Sequence, residues 1–84
     1  MIGPLLAALD LGTNNCRLLL ARRTGEGRFH VIESFSRITR LGEGLSANGY
    51  LSEAAMARTI DALAHCAQLI AKRGVDRLRL VATA

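Results

Sequence analysis

Asp10-Leu11-Gly12-Thr13-Asn14-Asn15-Cys16-Arg17 is the stretch on which the fold turns. Just upstream, Leu5–Leu11 is a short apolar run that closes on an acid and then a glycine. That is the pattern of a buried strand whose C-terminal end lies at Asp10. Residues 13–15 form a tight polar turn, and residues 16–23 are a second apolar, strand-like run. Gly12 lets the backbone turn tightly, while Thr13, Asn14 and Asn15 offer short hydrogen-bonding groups. A turn of this kind can aim several N–H, hydroxyl and amide groups at one anion. Arg17 can add a charged fork. A carboxylate such as Asp10, beside a phosphate, suits Mg²⁺ directly or through water. The plain alternative is a β-hairpin turn, with Gly12 and Asn14 supplying positive φ and Asp10 capping it. Against it stands Asp10 itself, because a carboxylate on a strand of Leu and Ala is costly without a partner.

Working outward, residues 24–27 (Thr-Gly-Glu-Gly) are a hairpin signal between two strand candidates. Residues 28–36 then read as a third strand, with Phe29, Val31 and Phe35 on one face and His30, Ile32 and Ser34 on the other. Residues 37–49 hold Gly42, Gly44 and Gly49 without sustained period, so a short extended piece leading into a loop is expected. Residues 52–73 are the clearest element. Ser52 is a good N-cap, Glu53 stands in the first turn, Lys72 and Arg73 in the last, and Gly74 just beyond. Met56, Ile60, Leu63, Ala67 and Ile70 make one helical stripe, widened by Ala55, Ala62, Cys66 and Leu69. Residues 77–83 are a fourth strand, reached from the helix by a short turn as in a parallel crossover. One helix cannot cover both faces of such a sheet, so one face is expected to lie uncovered, as in a piece of a larger domain.

Composition narrows the classes. The 84 residues carry eleven Lys+Arg against seven Asp+Glu, a formal charge of +4, and half are hydrophobic. That excludes intrinsic disorder and allows one small domain at most. The apolar runs fall far short of the roughly 20 residues of a membrane span, and no cationic segment precedes a signal-like core. Neither a membrane nor a secreted location is expected. Ten of the cations are arginine, the side chain that suits phosphate. They are scattered and accompanied by few aromatics, so a nucleic-acid partner is not expected. Cys16 and Cys66 belong to no CxxC pair, and His30 and His65 stand at no zinc spacing. Both cysteines read as small buried hydrophobes of a reducing cytoplasm.

Residues 10–19 resemble the first phosphate-binding motif of the exopolyphosphatase / guanosine pentaphosphate phosphatase (Ppx/GppA) family, within the actin-like ATPase superfamily. Asp10-Leu11-Gly12-Thr13 alone fits the whole superfamily, and Arg17 after the polar turn narrows it. So do Arg40-Leu41-Gly42-Glu43-Gly44-Leu45 with Gly49-Tyr50-Leu51-Ser52, Arg58 and Ala62-Leu63 in the helix, and Val81-Ala82-Thr83. One departure is Asn15, where the family often has Ser; an amide can still donate to phosphate.

The resemblance implies an α/β chain of ribonuclease-H-like (actin-like ATPase) fold, in part: β-β-β-α-β, three antiparallel strands, then a helix and a strand parallel to the first. It implies that residues 1–84 are the N-terminal portion of the first actin-like domain. Gly12, Thr13, Asn14 and Asn15 would surround a phosphate, Arg17 would reach toward it, and Arg40 would be a further phosphate or cleft contact. Asp10 would sit by Mg²⁺ or a similar divalent cation. The implied substrate is inorganic polyphosphate or guanosine pentaphosphate, the implied reaction hydrolysis of a terminal phosphoanhydride, and the implied parent a cytoplasmic homodimer. The family's general-base glutamate is expected beyond residue 84, so the 84-residue chain alone is expected to be inactive, poorly stable and prone to association. Two readings from other classes stay open: a sugar- or acetate-kinase-like phosphotransferase of the same superfamily, and a small basic binding module without catalysis.

Overall fold

The computed structural model describes residues 3–83. β1 (Leu5–Leu11) forms where the sequence reads it, but its burial alternates. Leu5, Ala7 and Leu9 are buried while Ala8 and Asp10 are exposed. The strand is thus covered on one face only. β2 (Asn15–Gly25) pairs antiparallel with β1, from Leu5 opposite Arg22 to Leu11 opposite Cys16. It sends Cys16, Leu18 and Leu20 to the same buried face. β3 (Arg28–Ile38) follows a tight turn at Glu26-Gly27, where Gly27 takes the left-handed φ of 67° that a side chain would resist. β4 (Arg77–Ala82) lies parallel to β1 on the far edge, giving the order β3-β2-β1-β4.

β3 departs from the simple alternation expected of it. Leu20 lies opposite Glu33, but Ala21 lies opposite Val31, so Ile32 is an extra, bulged residue. A bulge switches which face later side chains take. Phe35 and Ile32 therefore pack against the core, whereas Phe29 and Val31 project from the uncovered face. The expected grouping of Phe29, Val31 and Phe35 is corrected accordingly. The strand also runs two residues further than the sequence indicates, to Ile38.

Within the stretch expected to be loop, Leu45–Asn48 makes one helical turn, α1, bracketed by Gly44 and Gly49 in left-handed conformations. α2 (Glu53–Arg73) has the caps foreseen for it. The Ser52 hydroxyl accepts the Ala55 N–H at 3.1 Å, and Gly74, at φ 68°, ends the helix. Ser52→Ala should destabilise the chain by about 1 kcal/mol, read by thermal unfolding, while Ser52→Asp should cost little.

The face that α2 buries is the widened side of the expected stripe, and Met56, Ile60 and Ala67 fall outside it. Ala55, Thr59, Ala62 and Cys66 are buried, with Leu63, Leu69 and Ile70 partly so. Met56 is 38% and Ile60 66% exposed. The reason lies in β2. Leu18 and Leu20 fill the space beneath the helix, so the helix meets them with its smallest residues and comes close. The Thr59 hydroxyl is satisfied there by donating to the Ala55 carbonyl at 2.8 Å. Cys16 and Cys66 are buried as expected, and their sulfurs stand 3.8 Å apart as free thiols. Burial, then the neighbouring Cys16, pushes the Cys66 thiol up to about 12, so it stays protonated and non-nucleophilic at neutral pH. Three exposed or half-buried ion pairs tie α2 to its surroundings: Arg37–Asp61, Arg58–Glu43 and Arg73–Glu33.

Candidate functional site

β1 ends at Leu11 and β2 begins at Asn15, leaving residues 12–14 as a short connection. The Gly12 N–H donates to the Asn15 carbonyl at 2.9 Å and closes it. Neither Gly12 nor Asn14 has a positive φ; among the described non-glycine residues only Arg40 does, at 49°. β1 and β2 are joined as a β-hairpin, but without the positive φ at Gly12 and Asn14 that the plain-turn reading supplied. The connection is held instead from outside. The Thr13 carbonyl accepts the Gly42 N–H at 3.0 Å. The Asn14 carbonyl accepts the Thr39 and Arg40 N–H groups at 2.7 and 3.1 Å and the Thr39 hydroxyl at 3.4 Å.

This matters electrostatically. In a trans peptide the C=O and the following N–H point in opposite directions. With the Thr13 and Asn14 carbonyls drawn toward residues 39–42, the N–H groups of Asn14 and Asn15 are turned to the other side. The loop thus withdraws the two carbonyls that would repel an anion and offers the amides that would bind one.

The loop also lines a depression of about 270 Å³, whose lining residues are Asp10, Gly12, Thr13, Asn14, Asn15, Arg17 and Thr83. Six of these are the residues singled out in the sequence. Asp10 and Arg17 are direct partners across β1 and β2, and both are exposed. Asp10 makes no ion pair among the described residues. The expected need for a partner does not arise, because the carboxylate stands on the uncovered face and is solvated. Arg40 is placed apart. It lines a second depression, of about 530 Å³, with Thr13, Asn14, Gly42, Glu43 and Leu45. The two depressions share only Thr13 and Asn14.

Thr83, a lining residue too, lies outside the stretch that the sequence singles out. Its N–H donates to the Leu11 carbonyl at 3.0 Å, which brings it beside Gly12. The usable signal was topological: ligands of α/β sheets collect at the C-terminal ends of parallel strands, here β1 and β4. A larger depression, about 570 Å³, lies elsewhere, on the uncovered sheet face among Leu6, Leu19, Phe29 and Val31. Its lining is apolar apart from Arg77 and Arg79, and it offers no reactive group.

For a divalent cation the donor set is one carboxylate, Asp10; no cluster of three His, Cys, Asp or Glu occurs among the described residues. One carboxylate completed by water and ligand phosphate oxygens is a normal Mg²⁺ environment and a poor one for zinc. No helix among the described residues is long and apolar enough to cross a membrane.

A sequence model of the Ppx/GppA phosphatase family matches residues 20–84. "Exopolyphosphatase 2" of Mycobacterium tuberculosis is 41% identical over 81 residues, covering 93% of this chain and 25% of the relative. The "guanosine-5'-triphosphate,3'-diphosphate pyrophosphatase" of Photobacterium profundum is 35% identical over 83 residues, covering 99% of this chain and 16% of the relative. Among solved structures, the Ppx/GppA family member of Aquifex aeolicus superposes with a TM-score of 0.88 at 32% identity, over 94% of this chain and 26% of that one. The chain therefore spans about a quarter of the length of these relatives, or less.

Proposed function

Because the chain belongs to the Ppx/GppA phosphatase family and has the actin-like ATPase fold of its members, we propose that it supplies the first phosphate-binding loop of a phosphoanhydride hydrolase. We take residues 1–84 as the leading portion of that enzyme's first domain. The substrate class is inorganic polyphosphate or guanosine pentaphosphate, by analogy with the names of its relatives. The observation that carries this reading is the depression in which the 12–15 loop, its carbonyls turned away, meets the free fork of Arg17.

Each residue has a definable part. The Asn14 and Asn15 N–H groups and the Thr13 hydroxyl donate to the oxygens of a terminal phosphoryl group. Arg17 offsets its charge, most strongly as charge builds on the equatorial oxygens during in-line attack by water. Asp10 is the side chain to hold a divalent cation, which when bound would neutralise phosphate charge. Arg40, on the far side of the loop, is suited to a neighbouring phosphate of a longer chain. None of residues 1–84 is assigned as general base, and the isolated chain should bind without turning over.

Gly12 provides the test. A Cβ built there would lie 3.7 Å from the Asn15 carbonyl oxygen and 3.9 Å from the Thr83 hydroxyl, which is ordinary contact without strain. Gly12→Ala should fold normally, yet its methyl would stand between two of the groups that line the depression. Calorimetric titration with inorganic tripolyphosphate should show affinity lower by roughly tenfold or more. Equal affinity in the two proteins, or no binding by the unsubstituted chain, would sink the reading.

A further inference from the structure

The Arg58 side chain touches neither depression's anion-facing groups directly, yet every contact it makes ends on the segment that holds the loop. Its Nε donates to the Thr39 carbonyl at 2.8 Å. Its Nη2 donates to the Arg40 carbonyl at 3.4 Å and to Glu43 Oε2 at 2.6 Å. The Thr39–Arg40 peptide, and the peptide groups flanking the pair to which these two carbonyls belong, carry the N–H donors of Thr39, Arg40 and Gly42 that draw back the Asn14 and Thr13 carbonyls. We propose that Arg58 is a positioning residue for the anion site: it fixes residues 39–43 from α2 and so sets the direction in which the loop amides point. The proposal rests on the phosphate reading above.

Three observations support it. First, Arg40 sits at φ 49°, a left-handed conformation that costs a non-glycine residue roughly 1 kcal/mol or more and persists only when its surroundings impose it. Arg58 grips the Thr39 and Arg40 carbonyls, which belong to the peptide groups on either side of the Arg40 Cα, and this is how such a conformation is imposed. Second, Thr39 is fully buried, so its carbonyl needs a donor, and Arg58 supplies one. Third, Glu43 lines the second depression, where a bare carboxylate would repel an anion. Its pairing with Arg58 offsets that charge. A planar fork does all three together, and a lysine ammonium cannot span the same acceptors.

The experiment compares Arg58→Ala, Arg58→Lys and, as a control for lost charge, Arg77→Ala, which lies at the far end of β4. Two measurements are made on each: amide hydrogen exchange without ligand, and titration with inorganic tripolyphosphate. Arg58→Ala should speed exchange at Thr39, Arg40 and Gly42 by roughly tenfold, leave the β1–β2 ladder amides unchanged, and weaken binding by about the same factor. Arg58→Lys should recover part of the affinity, and Arg77→Ala should shift neither reading by more than about twofold. Unchanged exchange at those three amides overturns the proposal. So does faster exchange with unchanged affinity, or a loss no larger than that of Arg77→Ala. Uniformly faster exchange, including the ladder, would mean that Arg58 holds the whole fold, and also overturns it. No binding by the unsubstituted chain overturns the phosphate reading instead, and the exchange data then judge the clamp separately.

Discussion

Arg17→Ala should remove most of the chain's affinity for inorganic tripolyphosphate while leaving its fold intact. The two halves of this expectation have separate causes. Arg17 lies on β2 between Asp10 of β1 and Ser36 of β3, on the uncovered face, with its side chain exposed. Its side chain makes no ion pair among the described residues, so truncating it breaks nothing that stabilises the sheet. A surface substitution of that kind usually stays within about 0.5 kcal/mol. The bound state is different. A guanidinium–phosphate contact is charge-assisted and geometrically matched, worth about 1.5–3 kcal/mol. That corresponds to roughly ten- to a hundredfold in affinity. The comparison with Arg77→Ala decides between a site and a generally basic surface. In a non-catalytic basic module, affinity follows total charge and falls steeply with salt, and the two substitutions weaken binding alike. In a built site Arg17 dominates. Equal losses, measured by calorimetry at two salt concentrations, would favour the module.

Where the sequence was informative, local chemistry and tertiary structure agree. Strand β1, the turn at residues 26–27, the Ser52 cap and the Gly74 stop each depend on neighbours within a few residues. The six residues of the first depression were readable because the loop that carries them is contiguous, and the antiparallel pairing of β1 with β2 places Asp10 across from Arg17. Arg40 was joined to them on resemblance. Its distance from them reflects the Asn14 carbonyl contacts, which put residues 39–43 behind the loop rather than in front. The bulge at Ile32 left no mark that period-2 counting could detect, and it reversed the faces of the strand before it. The α2 stripe was centred too far toward Met56 and Ile60 for a related reason. Two apolar stripes about one residue apart run along this helix, and hydrophobicity alone favours the one with larger side chains. Packing favours the other, because β2 already supplies the bulk. Thr83 carries no local signal as a site residue; the parallel pairing expected of residues 77–83 was the cue, because the register of β4 with β1 is what brings it to Gly12.

That rivalry between stripes leads to the second large effect. Leu20→Ala should cost about 2–5 kcal/mol, and Ile60→Ala less than about 1 kcal/mol. Leu20 is fully buried at the centre of a core that includes Leu18, Ala62 and Cys66, and small helix residues cannot move in to fill a void beneath them. Ile60 points from α2 into solvent at 66% exposure. An 84-residue domain has a stability of only about 4–12 kcal/mol. One with an uncovered sheet face should lie toward the low end, since Leu19, Phe29, Val31 and Leu78 on that face stay exposed. Loss of the Leu20 side chain should therefore leave a measurable unfolded population without denaturant, visible as reduced far-UV circular dichroism and a lower urea midpoint. The comparison also decides the orientation of the helix. Had Met56, Ile60 and Ala67 faced the sheet, Ile60→Ala would rank with Leu20→Ala. If both substitutions lower the urea midpoint equally, α2 is rotated about its axis from the arrangement described. Arg58 would then leave the Thr39 carbonyl, and the clamp on the phosphate loop would go with it.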